Sequence, residues 1–163
     1  MQCGGVVNPK TDFRANKKAE RLYEEIRNRN YDLLTIGKRT NFPVEIISII
    51  KNYIFNDKHI LQNGKYERFH SDYRIAESWR RLSTGKDNKI ELHDVLLLLL
   101  YHEACEISYL MNNHCSVTIA HEYAQERYNY AEASDQYYDK IFGSKQNTDN
   151  TPEAKATSLK IWK

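Results

Sequence analysis

Little in this sequence of 163 residues interrupts a chain: it has three prolines and six glycines. So few breakers exclude collagen-like and Pro/Gly-rich low-complexity classes and leave room for long helices. Cysteine is scarce too. Cys3, Cys105 and Cys115 are an odd number with no CxxC spacing, which fits neither a disulfide framework nor a zinc knuckle. A reducing compartment is the expectation, with Cys105 and Cys115 read as small buried thiols rather than metal ligands. Long hydrophobic runs are absent. The longest, "VLLLLLY" from Val95, falls far short of the roughly 20 residues that span a bilayer. The start, "MQCGGVVNPKTDFRANKK", turns polar within ten residues, so no signal peptide is expected.

What the chain does have is 40% hydrophobic and 28% charged residues, enough apolar material for one domain and too little bias for wholesale disorder. The net charge of +2 hides an uneven distribution. Residues 1–92 carry 18 Lys or Arg against 12 Asp or Glu, whereas residues 93–142 carry 2 against 8. A basic front half can attract phosphates and an acidic half a basic partner, unless the two neutralise each other across their own interface.

Apolar periodicity predicts a mainly α, single compact domain of about six helices over residues 12–142. A flexible segment precedes it at 1–11, and a polar, disordered tail follows at 143–163. Asp12 is the expected cap of a first helix with Ala19, Leu22 and Ile26 on one face. "YDLLTIGKRT" and "VEIISIIKNYIF" follow as two helices around Pro43. Their arrangement sketches a helix-turn-helix, but Glu45, Ser48, Lys51 and Asn52 are a thin and partly acidic set for reading base edges, so an αα-hairpin packed into the core is preferred. Asn63-Gly64 marks a turn, and a short hairpin near 60–70 is the one strand pair the sequence admits. Asp72 is expected to cap "YRIAESWRRL", with Ile75, Trp79 and Leu82 inward and Arg74 and Arg81 on other faces. A hydrophobic helix from about Leu92 to Met111 follows, and then one long helix from Ser116 to an end at Gly143.

The chemistry-bearing residues lie on the last two helices. Val95, Leu99, His102, Glu106 and Tyr109 form one stripe, and Val117, Ala120, His121, Ala124 and Tyr128 form another. The short connection "NNHCS" makes these helices antiparallel neighbours, with His102 and His121 offset by roughly one turn, about 5 to 7 Å. Three readings compete. In the first, His102, Glu103, Glu106 and His121 supply acid-base groups for metal-free cleavage of RNA, and Arg68, His70, Arg80 and Tyr128 hold the substrate. In the second, His102, Glu106 and His121 bind zinc and Glu103 activates water; position 106 departs from the HExxH peptidase pattern, giving HExxE. In the third, His and Glu form a satisfied polar network between helices.

Four segments, "NPKTDFRANKKAERLYEEIR", "RFHSDYRIAESWRRL", "HDVLLLLLYHEACE" and "AHEYAQERYNY", resemble in order and spacing the C-terminal toxin modules of bacterial polymorphic toxin systems, including contact-dependent inhibition and phage-associated proteins. The likeness covers roughly residues 8–142. It implies a module delivered as part of a larger secreted protein, acting in the cytoplasm of a target bacterium as a nuclease, and neutralised by a dedicated immunity protein. Residues matching its motifs are Arg68, Asp72, Trp79, Arg80, His102, Glu103, Glu106, His121, Tyr128 and Tyr130, while His70 departs from it. With only seven residues before Asn8, the chain reads as an excised module. The leading expectation is therefore a ribonuclease without cofactor, with zinc and a non-enzymatic DNA-binding module as the alternatives.

Overall fold

The computed structural model describes residues 13–84 and 93–146. The expected cap at Asp12 and the tail from 147 lie outside them. Helix α1 (Phe13–Asn28) is followed by α2 (Asp32–Thr40) and α3 (Val44–Lys51), which runs directly into a π-helical turn (Asn52–Asn56). A hairpin of β1 (Lys58–Ile60) and β2 (Tyr66–Arg68) leads to α4 (Tyr73–Ser83), α5 (Asp94–Asn112), α6 (Val117–Arg127) and α7 (Tyr130–Gln146). The mainly α expectation holds, with seven α-helices among the described residues.

Local sequence explains most of these boundaries. Asp72 caps α4 by accepting from the Arg74 and Ile75 amides, and the Ser116 hydroxyl accepts from Ile119 at the start of α6. The hairpin is antiparallel with Lys58 opposite Arg68, His59 opposite Glu67 and Ile60 opposite Tyr66. Gly64, at φ +80°, makes its turn, a backbone conformation that a side chain disfavours. Helices α2 and α3 pack as an αα-hairpin, with Ile36, Ile47 and Ile50 buried in the core.

One boundary differs from expectation. The single last helix is two, broken at Tyr128–Asn129, and α7 passes through Gly143 to Gln146. Asn129 caps α7: its Oδ1 accepts from the Glu132 amide at 3.1 Å, and its Nδ2 donates to Glu132 Oε2 at 3.0 Å. That is a variant of the capping box, Asn followed three residues later by Glu. Tyr130 then enters the core, where its hydroxyl lies 2.7 Å from Ser78 Oγ and donates to the Arg74 carbonyl at 3.0 Å.

Two buried polar clusters fix the helices around the core of Leu22, Ile26, Ile36, Phe55, Trp79, Leu96, Leu99 and Leu100. In the first, Asp32 accepts from Trp79 Nε1 at 3.0 Å and pairs with Lys51 at 2.9 Å, joining α2, α3 and α4. In the second, Arg74 is buried, away from solvent. It pairs with Asp135 of α7 and lies 3.6 Å from Asp72, so the buried guanidinium has the counter-charges it needs.

Candidate metal centre

The widest helix interface joins α5 to α6, and the stripe positions on each helix face one another across it. His102, Glu103 and Glu106 are fully buried, and His121 is 5% exposed. The turn of offset expected between the two histidines is taken up by their side chains. His102 Nε2 and His121 Nδ1 stand 3.3 Å apart, and Glu106 Oε1 lies 3.0 Å from His121 Nδ1 and 3.7 Å from His102 Nε2.

The proton on His102 follows from its other nitrogen. Nδ1 lies 2.8 Å from the Tyr128 carbonyl oxygen, which can only accept, so Nδ1 carries hydrogen. That carbonyl sits at the break between α6 and α7, where the helical ladder stops. The neutral ring therefore turns the Nε2 lone pair toward His121 and Glu106. A histidine anchored by Nδ1–H to a backbone carbonyl, with Nε2 facing other donors, is the arrangement found around bound metals. The ring of Tyr128 stacks on Tyr101, so this tyrosine contributes to the cluster through its backbone.

Glu106 is held at both oxygens. Oε1 faces the histidines, and Oε2 accepts from the Tyr53 hydroxyl in a short hydrogen bond. Burial alone would raise the carboxyl pKa, but the adjacent His102 and His121 rings and the Tyr53 hydroxyl prevail and bring it down to about 2. For His102, burial opposes the charged ring and is outweighed by the Glu106 carboxylate beside it, the nearby Glu103 charge and the Tyr128 carbonyl, so its pKa is raised. In the absence of an ion the cluster is thus a carboxylate set between two imidazoles and a tyrosine hydroxyl.

The same three atoms suit an ion. His102, Glu106 and His121 are the one group of three or more metal-ligating side chains among the described residues. Ligands about 2.0–2.1 Å from a tetrahedral zinc stand about 3.3–3.4 Å apart, and here the three separations are 3.0, 3.3 and 3.7 Å. From those sides, a point about 2.1 Å from all three donors lies about 0.8 Å out of their plane, against about 0.7 Å in an ideal tetrahedron. Two imidazoles and a carboxylate are also a donor set that suits zinc. Glu103 is outside that group but near enough for its charge to act on the His102 ring.

The other expected residues engage elsewhere. Arg68, on β2, donates from Nε to the Asn56 carbonyl at 3.2 Å, and exposed His70 meets Glu67 at 3.3 Å. Arg80 pairs with buried Glu77 on α4, whose carboxyl is pulled down by Arg80 and Arg81 despite partial burial. Among the described residues no carboxylate pairs with Arg68 or with Lys58, its cross-strand neighbour, although like charges directly opposite in a sheet are unfavourable.

Tyr53 is the member that sequence reasoning missed. It reads there as one apolar position in the periodic run from Ile46, and the signal that remained was that a buried tyrosine hydroxyl needs a partner. The π turn presents it: the Asp57 amide reaches back to the Asn52 carbonyl at 2.7 Å, and turns of this kind are frequent at functional sites. No protein-family model, curated protein or solved structure matches this chain.

Proposed function

We propose that the chain is a metal-dependent hydrolase in which His102, Glu106 and His121 hold a zinc-class divalent ion and Glu103 manages the proton of its water. The observation that carries this reading is the triangle of donor atoms, whose sides match a tetrahedral site within a few tenths of an ångström. A bound ion would polarise water into a nucleophile near neutral pH. Glu103, buried and acting electrostatically on His102, is the carboxylate available to take that water's proton and return it to the leaving group.

Phosphoesters are the substrate class favoured by the basic front half. Lys58 and Arg68 sit opposite each other, without acidic partners among the described residues, on a hairpin whose other side packs against Tyr53. A phosphate would relieve their repulsion. As a toxin module of the kind its motifs resemble, the chain would meet RNA in a target bacterium's cytoplasm and be held inactive by an immunity protein.

A metal-free ribonuclease is the second reading. It draws on the raised pKa of His102, which suits an acid, and on Glu106 as its counter-charge. Substrate has to reach the same buried rings in either reading, so burial does not separate the two, and the triangle of donor atoms is what favours the first. The deciding experiment is metal analysis of the purified protein, followed by assays on RNA and simple phosphate esters with and without chelator. One zinc-class ion per chain and chelator-sensitive hydrolysis, lost in His102→Ala with helicity retained, is the expected outcome. RNA cleavage that survives complete metal removal would transfer the function to the second reading.

A further inference from the structure

Whether a three-ligand ion works as a catalyst or as a structural clip depends on its fourth position. Structural zinc sites are closed by four protein ligands, whereas catalytic ones keep three and a water. Among the described residues the group here stops at three. The remaining threat to an open position is Glu106 itself, because a carboxylate can swing to bind through both oxygens.

Tyr53 stands in the way of that swing. Its hydroxyl donates to Glu106 Oε2, turning that oxygen away from the histidines while Oε1 faces them. Tyr53 is itself fixed on several sides. It is buried, its backbone carbonyl accepts from His59 Nε2 at 2.8 Å, and its ring meets His59 edge-on at 4.6 Å and Phe69 at 5.4 Å. His59 in turn stacks on Phe69 at 4.1 Å. The π turn and the hairpin thus form a rigid arm whose tip is one hydroxyl.

We infer that Tyr53 is a positioning residue that keeps Glu106 a one-oxygen ligand and so reserves the ion's fourth position for water. This rests on the metal reading of the cluster, and it adds a cause for the open position and a residue that controls it.

The test loads the full chain with cobalt(II) as a spectroscopic stand-in and compares wild type with Tyr53→Phe. Wild type should take up one equivalent and give the intense visible bands of a four-coordinate ion. The Tyr53→Phe protein should bind about 10- to 100-fold more weakly, the usual cost of losing an outer partner, and its bands should weaken as Glu106 turns two-oxygen and the coordination number rises. Helicity by circular dichroism checks that the variant is folded. Should it not fold, the wild-type spectrum still decides: weak bands from a five- or six-coordinate ion overturn the inference. So do unchanged affinity and spectrum in a folded Tyr53→Phe protein. Failure of wild type to bind cobalt or zinc at all removes the metal reading itself, a result distinct from either.

Discussion

Glu106→Gln separates a metal centre from a polar network, because the two predict different thermal behaviour. The substitution keeps size and shape. The new amide oxygen can still accept from Tyr53, and the amide nitrogen can donate to the lone pair of a neutral histidine at the position where Oε1 lies 3.0 Å from His121 Nδ1. Both rings can then be neutral, so no buried charge is stranded and the metal-free variant should melt within a few degrees of metal-free wild type. What the amide lacks is the negative charge that holds a divalent ion. Zinc at 100 times its dissociation constant stabilises a folded state that alone binds it by about 2.7 kcal/mol. For a domain of this size that is a rise in Tm of about 5–10 °C. Differential scanning calorimetry of both proteins, metal-free and zinc-loaded, is the assay. Wild type should show the rise and Glu106→Gln should not. A wild type indifferent to zinc, or a variant that keeps the full rise, would refute the reasoning.

Two further predictions concern the frame around the centre. Asp32→Ala leaves Lys51 buried without its carboxylate and strips Trp79 Nε1 of its acceptor. Loss of one partner of such a pair should cost about 3–5 kcal/mol in urea unfolding, and a cost under 1 kcal/mol would show that the cluster is not dry. Burial raises the pKa of Asp72 to about 6, against the pull of Arg74 and its two cap amides. Between about pH 4 and pH 6 the folded state therefore binds more protons than the unfolded one, and this group makes stability fall as pH rises through that window. Asp72→Asn keeps a good cap and should flatten that slope in melts at pH 4, 5 and 6, with the contribution of Asp135, raised in the same direction, remaining.

How much of this was readable in advance depended on whether a residue's role was local. Caps at Asp72 and Ser116, the turn at Asn63-Gly64 and the four-residue step from His102 to Glu106 are short-range patterns, and the chain obeys them. The break at Tyr128–Asn129 was also written locally, in the Asn129 and Glu132 of "NYAE". It was masked by the stripe Ala120, Ala124 and Tyr128, which carries helical spacing up to the break with no Gly or Pro to stop it. The burial of Arg74 was not readable for a different reason: periodicity cannot tell a charge facing solvent from one facing Asp135 across the core. Tyr53 lay beyond any such reading, since its partner is 53 residues away and a π turn takes it off the regular helical period.

That division bears on what the cluster is for. A polar network kept only to satisfy its own members could draw them from neighbouring turns, at small entropic cost. Here a carbonyl at a helix break, which also accepts from the Tyr130 amide at 2.8 Å, sets the His102 tautomer, and a tyrosine from a distant π turn occupies the second oxygen of Glu106. Neither device is needed to bring two histidines and a glutamate into hydrogen-bonding distance across α5 and α6. Together they leave His102 Nε2 and Glu106 Oε1 on the His121 side of the cluster. On the metal reading, the break at Tyr128 and the turn at Tyr53 set the geometry of the shared ligand as well as the packing of the helices, and regularising either should weaken metal binding.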